Sequence, residues 1–437
     1  MHPFNLFSSN ESKKGRGWLF LIGLFSLTQV RLGAKIGISE AACLLVAPYL
    51  MFKDFKFYKQ DGVSLYFYLL FLWIAGALFS DFYNHSNFAQ IIRGFTVPLL
   101  TLSTSVCVYH FLRRSPGNLK WLVFGIALSS VISIFIFQRG KAGDIAADGD
   151  MGGAVEAMVT YKLFWANTAK TWFTLPIQTM YLRLPVLYTV PAMMCVAIVT
   201  AMAGGRSAFA VSMMAMFLLL IGGKKIDTMR RVRRLIPVVV LLVACLMVGI
   251  KSAYSYAATH GYLNDTETIK YQRQTNIGTD FKSLILSGRS EFFVGLFAAL
   301  DKPIVGHGSQ PIDYYGYCED FLRKYGTDAE IERIRRAKAQ GFYPHILSHS
   351  HIICYWMWHG LPALLFWLYI GFLSVQTVCK RIEVIPEWYG YLVIMLSSFA
   401  WDYFFSPYGV RVTECGLYCA MLVIVRIARL QKGRKIK

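Results

Sequence analysis

Long apolar runs, broken by short polar and basic stretches, set the pattern of this chain. A membrane-crossing helix needs about 20 mostly apolar residues. Runs of that character fall at 17–32, 36–51, 64–78, 94–112, 121–137, 185–202, 207–221, 236–250, 361–378, 388–405 and 416–427. A polar stretch, 251–350, separates the last three from the rest. Within it, 291–300 reads as a helix, as does 329–339, which is polar and rich in strong helix formers. No internal repeat is visible.

Composition sharpens this picture. Hydrophobic residues make up 55% of the 437 and charged residues only 16%, against roughly 25% charged in a soluble domain. The chain has too little polar surface to cover a soluble core of its size. Its net charge of +20 does not point to nucleic acid, because the basic residues sit in short clusters between apolar runs. Such clusters mark loops that stay in the cytoplasm and face an anionic leaflet. The stretch 251–350 is balanced, with 12 basic and 11 acidic residues, while the rest of the chain has 33 and 14. That places the stretch on the opposite side.

Charge bookkeeping from the two ends agrees only if one further crossing lies near 158–182. This span is weakly apolar and contains Asn167, Thr168 and Lys170. Polar groups inside a span face a cavity or a site. The expected fold is therefore an all-α polytopic membrane protein with about 12 transmembrane helices and both termini cytoplasmic. Its parts are an N-terminal bundle, 1–250, a large helical loop, 251–350, and C-terminal spans, 351–437. The first apolar run lacks a small-residue cleavage site and reads as a retained span. The nine cysteines show no paired framework or metal spacing, and Cys318 reads as an unpaired thiol.

Chemistry-bearing residues gather on the expected outer side. Arg206 follows Gly204 and Gly205 at the end of a span, where a guanidinium needs an anion or water. Its forked donors suit phosphate, although an arginine there also fits snorkelling to headgroups. Arg289 precedes a predicted helix start, which favours anions; pairing with Glu291 or Asp280 on a solvated face is the plainer reading. The stretch 303–309 is a glycine turn holding His307. His345, His349 and His351 lie where the loop re-enters the apolar region, and histidine acts as a base near neutral pH. Histidines at i and i+2 do not share a helix face, so no zinc site is indicated.

The order of these motifs resembles the O-antigen ligase and polymerase superfamily of polytopic glycan transferases. The residues that carry the likeness are Ala166-Asn167-Thr168-Ala169, Gly205-Arg206-Ser207-Ala208, and Gly288-Arg289 followed by 302–308 (Lys-Pro-Ile-Val-Gly-His-Gly). His349-Ser350, nine residues and Gly360 match the ligase pattern, and this spacing selects His349 over His351. The pattern ends two residues later in Gly, Thr or Tyr, where this chain has Ala363. The ladder covers about 166–363, roughly half of the chain.

The resemblance implies a GT-C-like enzyme of the bacterial inner membrane with a periplasmic active site. The donor would be an undecaprenyl-diphosphate-linked glycan, and the acceptor a sugar hydroxyl, usually on lipid A–core. Transfer would need no metal or other cofactor. Arg206 and Arg289 would bind the diphosphate, His349 would act as base, and Asn167, His307 and His351 would contact substrate. A polymerase of the same superfamily joins repeat units instead, and transfer to a protein serine is a further option. A lipid-linked glycan transporter is the reading from a different class. It predicts internal symmetry and ionisable groups at the membrane midplane.

Overall fold

The computed structural model describes residues 15–32, 34–135, 186–202, 206–222, 252, 256–257, 260–262, 290–325, 328–346, 348–378, 388–406 and 411–434. The expected crossings at 158–182 and 236–250 lie outside these residues. Helices dominate what is described, in keeping with an all-α chain.

The first apolar run departs from expectation. Helix α1, Arg16–Leu24, has nine residues, which span roughly 14 Å against about 30 Å of hydrocarbon. Beyond it the chain turns through Ser26 and Thr28 into an antiparallel hairpin, β1 Gln29–Leu32 and β2 Ala34–Gly37, with Val30 opposite Ile36. The alternation Gln29-Val30-Arg31-Leu32 has the two-residue period of a strand, and it wins over the average apolarity of the run.

Helix α2, Ile38–Asp61, starts where the Gly37 N–H donates to Glu40 Oε2 at 2.8 Å, and it runs past the expected boundary at 51. Helix α3 is Ser64–Tyr83 and α4 is Phe88–Arg114. Both are long and apolar enough to cross a membrane, by length and composition. On α3 the exposed side chains include Leu65, Tyr68, Phe71, Leu72, Phe79 and Phe82. A 3-10 turn, Pro116–Asn118, leads into α5, Leu119–Phe135. Gly23 of α1 and Gly125 of α5 bring those two helices into backbone contact; a Cβ on Gly23 would stand 2.8 Å from the Ile126 nitrogen.

Helices α6, Val186–Met202, and α7, Arg206–Gly222, pack on each other. The loop region contains α8, Ser290–Asp301, α9, Tyr317–Tyr325, and α10, Asp328–Ala339. The first and last lie where the sequence predicts them. Glu319 ties α9 to α10 by accepting from Arg323, Lys338 and Arg335, and these cations hold its carboxyl down at about 2. Then follow a short α11, His351–His359, α12, Leu361–Gln376, α13, Tyr389–Phe405, and α14, Arg411–Arg434. Helix α14 threads the core, with Tyr418 to Ile424 fully enclosed, and packs along α4.

The bundle has two chemically different ends. At one, α2 and α4 finish, α5 begins and α14 finishes. Lys53, Lys56, Lys59, Arg113, Arg114, Lys120, Arg426 and Arg429 lie there. At the other, the end of α3 and the start of α4 meet the loop segment 302–313, α11 and the start of α12. Helix α13 finishes at this loop end, where the Tyr403 carbonyl accepts from Ser350 Oγ at 2.9 Å. Tyr389, at the start of α13, donates to the Leu218 carbonyl late in α7 at 2.8 Å. The two helices pack along each other and so run antiparallel, which puts the first residue of α7, Arg206, at the loop end.

Candidate functional site

The segment before α11 decides which histidine faces outward. Ser348 and Ser350 are buried and His349 between them is exposed, as an extended chain alternates its side chains. Ser350 is the cap of α11: its Oγ accepts from the Ile353 N–H at 3.3 Å while donating to Tyr403. The alternation ends at that cap, so His351, the first helical residue, turns inward. It is fully enclosed, with Trp367 and Phe399 rings 5.2 and 6.3 Å away.

His349 Nδ1 lies against Glu291 Oε2, both side chains remaining partly exposed. Glu291 lies in the first turn of α8, where a carboxylate is favoured by the helix dipole. One turn on, at the same face, Gly295 lets the chain at 348 come close: a Cβ there would stand 2.6 Å from Ser348 Cβ. The glycine at i+4 thus brings His349 within reach of Glu291. Among the described residues, the partner of Glu291 is a histidine 58 positions further on.

Beneath this surface pair lies a buried polar chain that the motif reading did not include. The Trp73 Nε1–H donates to His359 Nδ1 at 2.9 Å, so the imidazole proton is on Nε2, 3.0 Å from Ser309 Oγ. Ser309 in turn donates to Asp81 twice, from Oγ to Oδ2 at 2.8 Å and from its N–H to Oδ1 at 2.6 Å. Ser86 Oγ adds a third bond to Asp81 at 2.9 Å. With its proton on Nε2, His359 cannot take a proton from Ser309 Oγ and so does not serve as its base. Ser309 is also fully buried. The chain holds the glycine turn to α3 and to the end of α11, and Gly94 makes room for it, since a Cβ there would overlap Ser309 Oγ.

The turn is fixed by backbone bonds as well. His307 and Gly308 N–H groups donate to the Met357 and Trp358 carbonyls, at 2.8 and 3.0 Å. Gly306 and Gly308 both have φ near +80°, the left-handed region that favours glycine. Asn84 donates to the Gly306 carbonyl and accepts from Lys302. His307 is buried; burial lowers its basicity, and its Nε2–H donates to the Ala298 carbonyl at 2.8 Å.

The three described histidines of the expected site occupy different settings. His349 is at the surface. His351 and His307, expected to touch substrate, are enclosed by protein, because one starts a buried helix and the other pins a turn. Arg206 stands at the loop end as the start of α7, with its side chain outside the described residues. Arg289, one residue before α8, and Asn167 lie outside them altogether. Among the described residues no three His, Cys, Asp or Glu side chains stand together to hold a metal, and Cys318 is a free thiol raised to about 12 by burial. One signal for the buried chain was present in the sequence: Asp81 closes a long apolar run, and an acid there needs partners. Comparison with models of protein families, with curated proteins and with solved structures finds no match to this chain.

Proposed function

We propose that the chain is a polytopic glycan transferase of a bacterial inner membrane, with both termini cytoplasmic. It moves an undecaprenyl-diphosphate-linked glycan to an acceptor sugar hydroxyl, on lipid A–core, at the periplasmic face. The basic end of the bundle corresponds to the cytoplasmic side. The apolar exposed face of α3 fits lipid contact, as does the stripe Leu361, Leu365, Leu368, Phe372 and Val375 on α12.

One observation carries the proposal. An exposed imidazole is held at the loop end, on a cap braced by two helices, and Arg206 begins its helix at that same end. In the reaction the acceptor hydroxyl oxygen attacks the anomeric carbon of the donor. The bond from that carbon to the diphosphate oxygen breaks, and its electron pair leaves with the lipid diphosphate. His349 takes the hydroxyl proton and passes it to water. Arg206 and Arg289 bind the diphosphate and stabilise the charge that grows on it.

The test uses purified full-length protein with lipid-diphosphate glycan, an acceptor and a chelator. His349→Ala should lose about 10²–10⁴-fold in transfer rate with the same yield of folded protein. Undiminished transfer refutes the base. Repeat units joined on the lipid carrier would identify a polymerase, and glycan movement without a new bond would identify a transporter.

A further inference from the structure

We infer that Glu291 is a positioning residue that fixes the tautomer and orientation of His349, an inference that rests on His349 being the base. A carboxylate accepts and does not donate, so its partner Nδ1 carries the proton. The neutral ring then has its lone pair on Nε2, the nitrogen turned away from Glu291, which is the form a general base needs. When Nε2 takes the acceptor's proton, the ring becomes a cation beside a carboxylate already in place. The carboxylate stabilises that cation without taking a proton itself.

Three features of the fold serve this one contact. Glu291 sits in the first turn of α8, so its backbone is set by a helix and not by a loop. Gly295, one turn later, removes the side chain that would hold the 348–350 segment away. Ser350 clamps the chain just after His349 through the α11 cap and the Tyr403 carbonyl. A surface pair adds little to stability. That makes it possible to separate a catalytic effect from a structural one.

The experiment compares Glu291→Gln, Glu291→Asp and His349→Ala in the full-length protein, with kcat, KM for each substrate, and Tm. Glutamine has the same shape but can present an N–H to Nδ1, which favours the wrong tautomer. It is expected to lower kcat by about 10²–10⁴-fold, up to the loss an amide causes in place of an orienting carboxylate elsewhere, with both KM values and Tm unchanged. Aspartate keeps the charge and should retain more turnover than glutamine. Full kcat in Glu291→Gln, beside an inactive His349→Ala, overturns the inference and leaves the base standing. A loss in Glu291→Gln matched by lost folded protein, or no advantage of Asp over Gln, also overturns it. Full activity in His349→Ala removes the base, and the inference with it.

Discussion

The two ends of the bundle keep their buried acids by opposite means. At the basic end, Asp61 is met by two guanidinium groups and a phenol: Arg113 Nε, Arg426 Nε at 3.0 Å and Tyr109 OH at 2.9 Å. Asp54 pairs with His110 beside it, and Arg113 also lies 3.9 Å from the centroid of Phe57. At the loop end, Asp81 is held by two hydroxyls and a peptide N–H. The first arrangement ties the last turns of α2 and α4 to the C-terminal half of α14. The second keeps a glycine turn in register. Charge neutralisation suits a closed clamp. The chain at Asp81 instead meets its carboxylate with neutral hydrogen-bond donors alone.

The largest expected effect breaks the basic end. Asp61→Ala leaves two guanidinium groups without their carboxylate, and removing one partner of a buried pair costs about 3–5 kcal/mol. Chemical denaturation of the purified protein should show this loss. A variant as stable as wild type would mean that water serves both arginines. At the loop end, Gly94→Ala drives a Cβ into Ser309 Oγ, and overpacking of this kind costs about 1–3 kcal/mol. Ser309→Ala in the Gly94→Ala background should recover part of that loss, which a thermal melt of the pair would reveal.

Ser309→Ala alone leaves Asp81 and His359 short of a partner, for about 1–3 kcal/mol. Its effect should be smaller than that of Asp61→Ala, and the reverse order would refute the contrast between the ends. The smallest effect concerns pH. Burial lowers the basicity of His307, so the folded protein binds fewer protons there than the unfolded chain. Stability contributed by the neutral ring is then complete above about pH 6.5, the ordinary histidine value, and is lost as pH falls below it. Tm measured from pH 7.5 to 5 should drop less in His307→Gln than in wild type.

Much of the architecture was legible locally. The runs at 64–78 and 94–112 became α3 and α4 with their ends extended, because Ser80, Asp81, Arg113 and Arg114 are polar yet continue a helix whose caps lie further on. The run at 17–32 misled because averaged apolarity hides a two-residue alternation. For the site, spacing selected His349 over His351, and the structure exposes the first and buries the second. Glu291 was visible as a helix-start acid, but nothing near it in sequence named its partner.

Apolar length, the segregation of basic residues and the capping chemistry of individual helices are properties of neighbouring residues, so the sequence alone pointed to a mostly helical chain and located helices such as α3, α4, α8 and α10. Which acid meets which base was decided only in three dimensions. Asp81 reaches Ser309 across 228 positions, and Arg426 reaches Asp61 across 365. Such pairs have no local periodicity to betray them. They exist because burying a carboxylate costs more than ordering a distant partner, and only the packed bundle settles which partner is near enough.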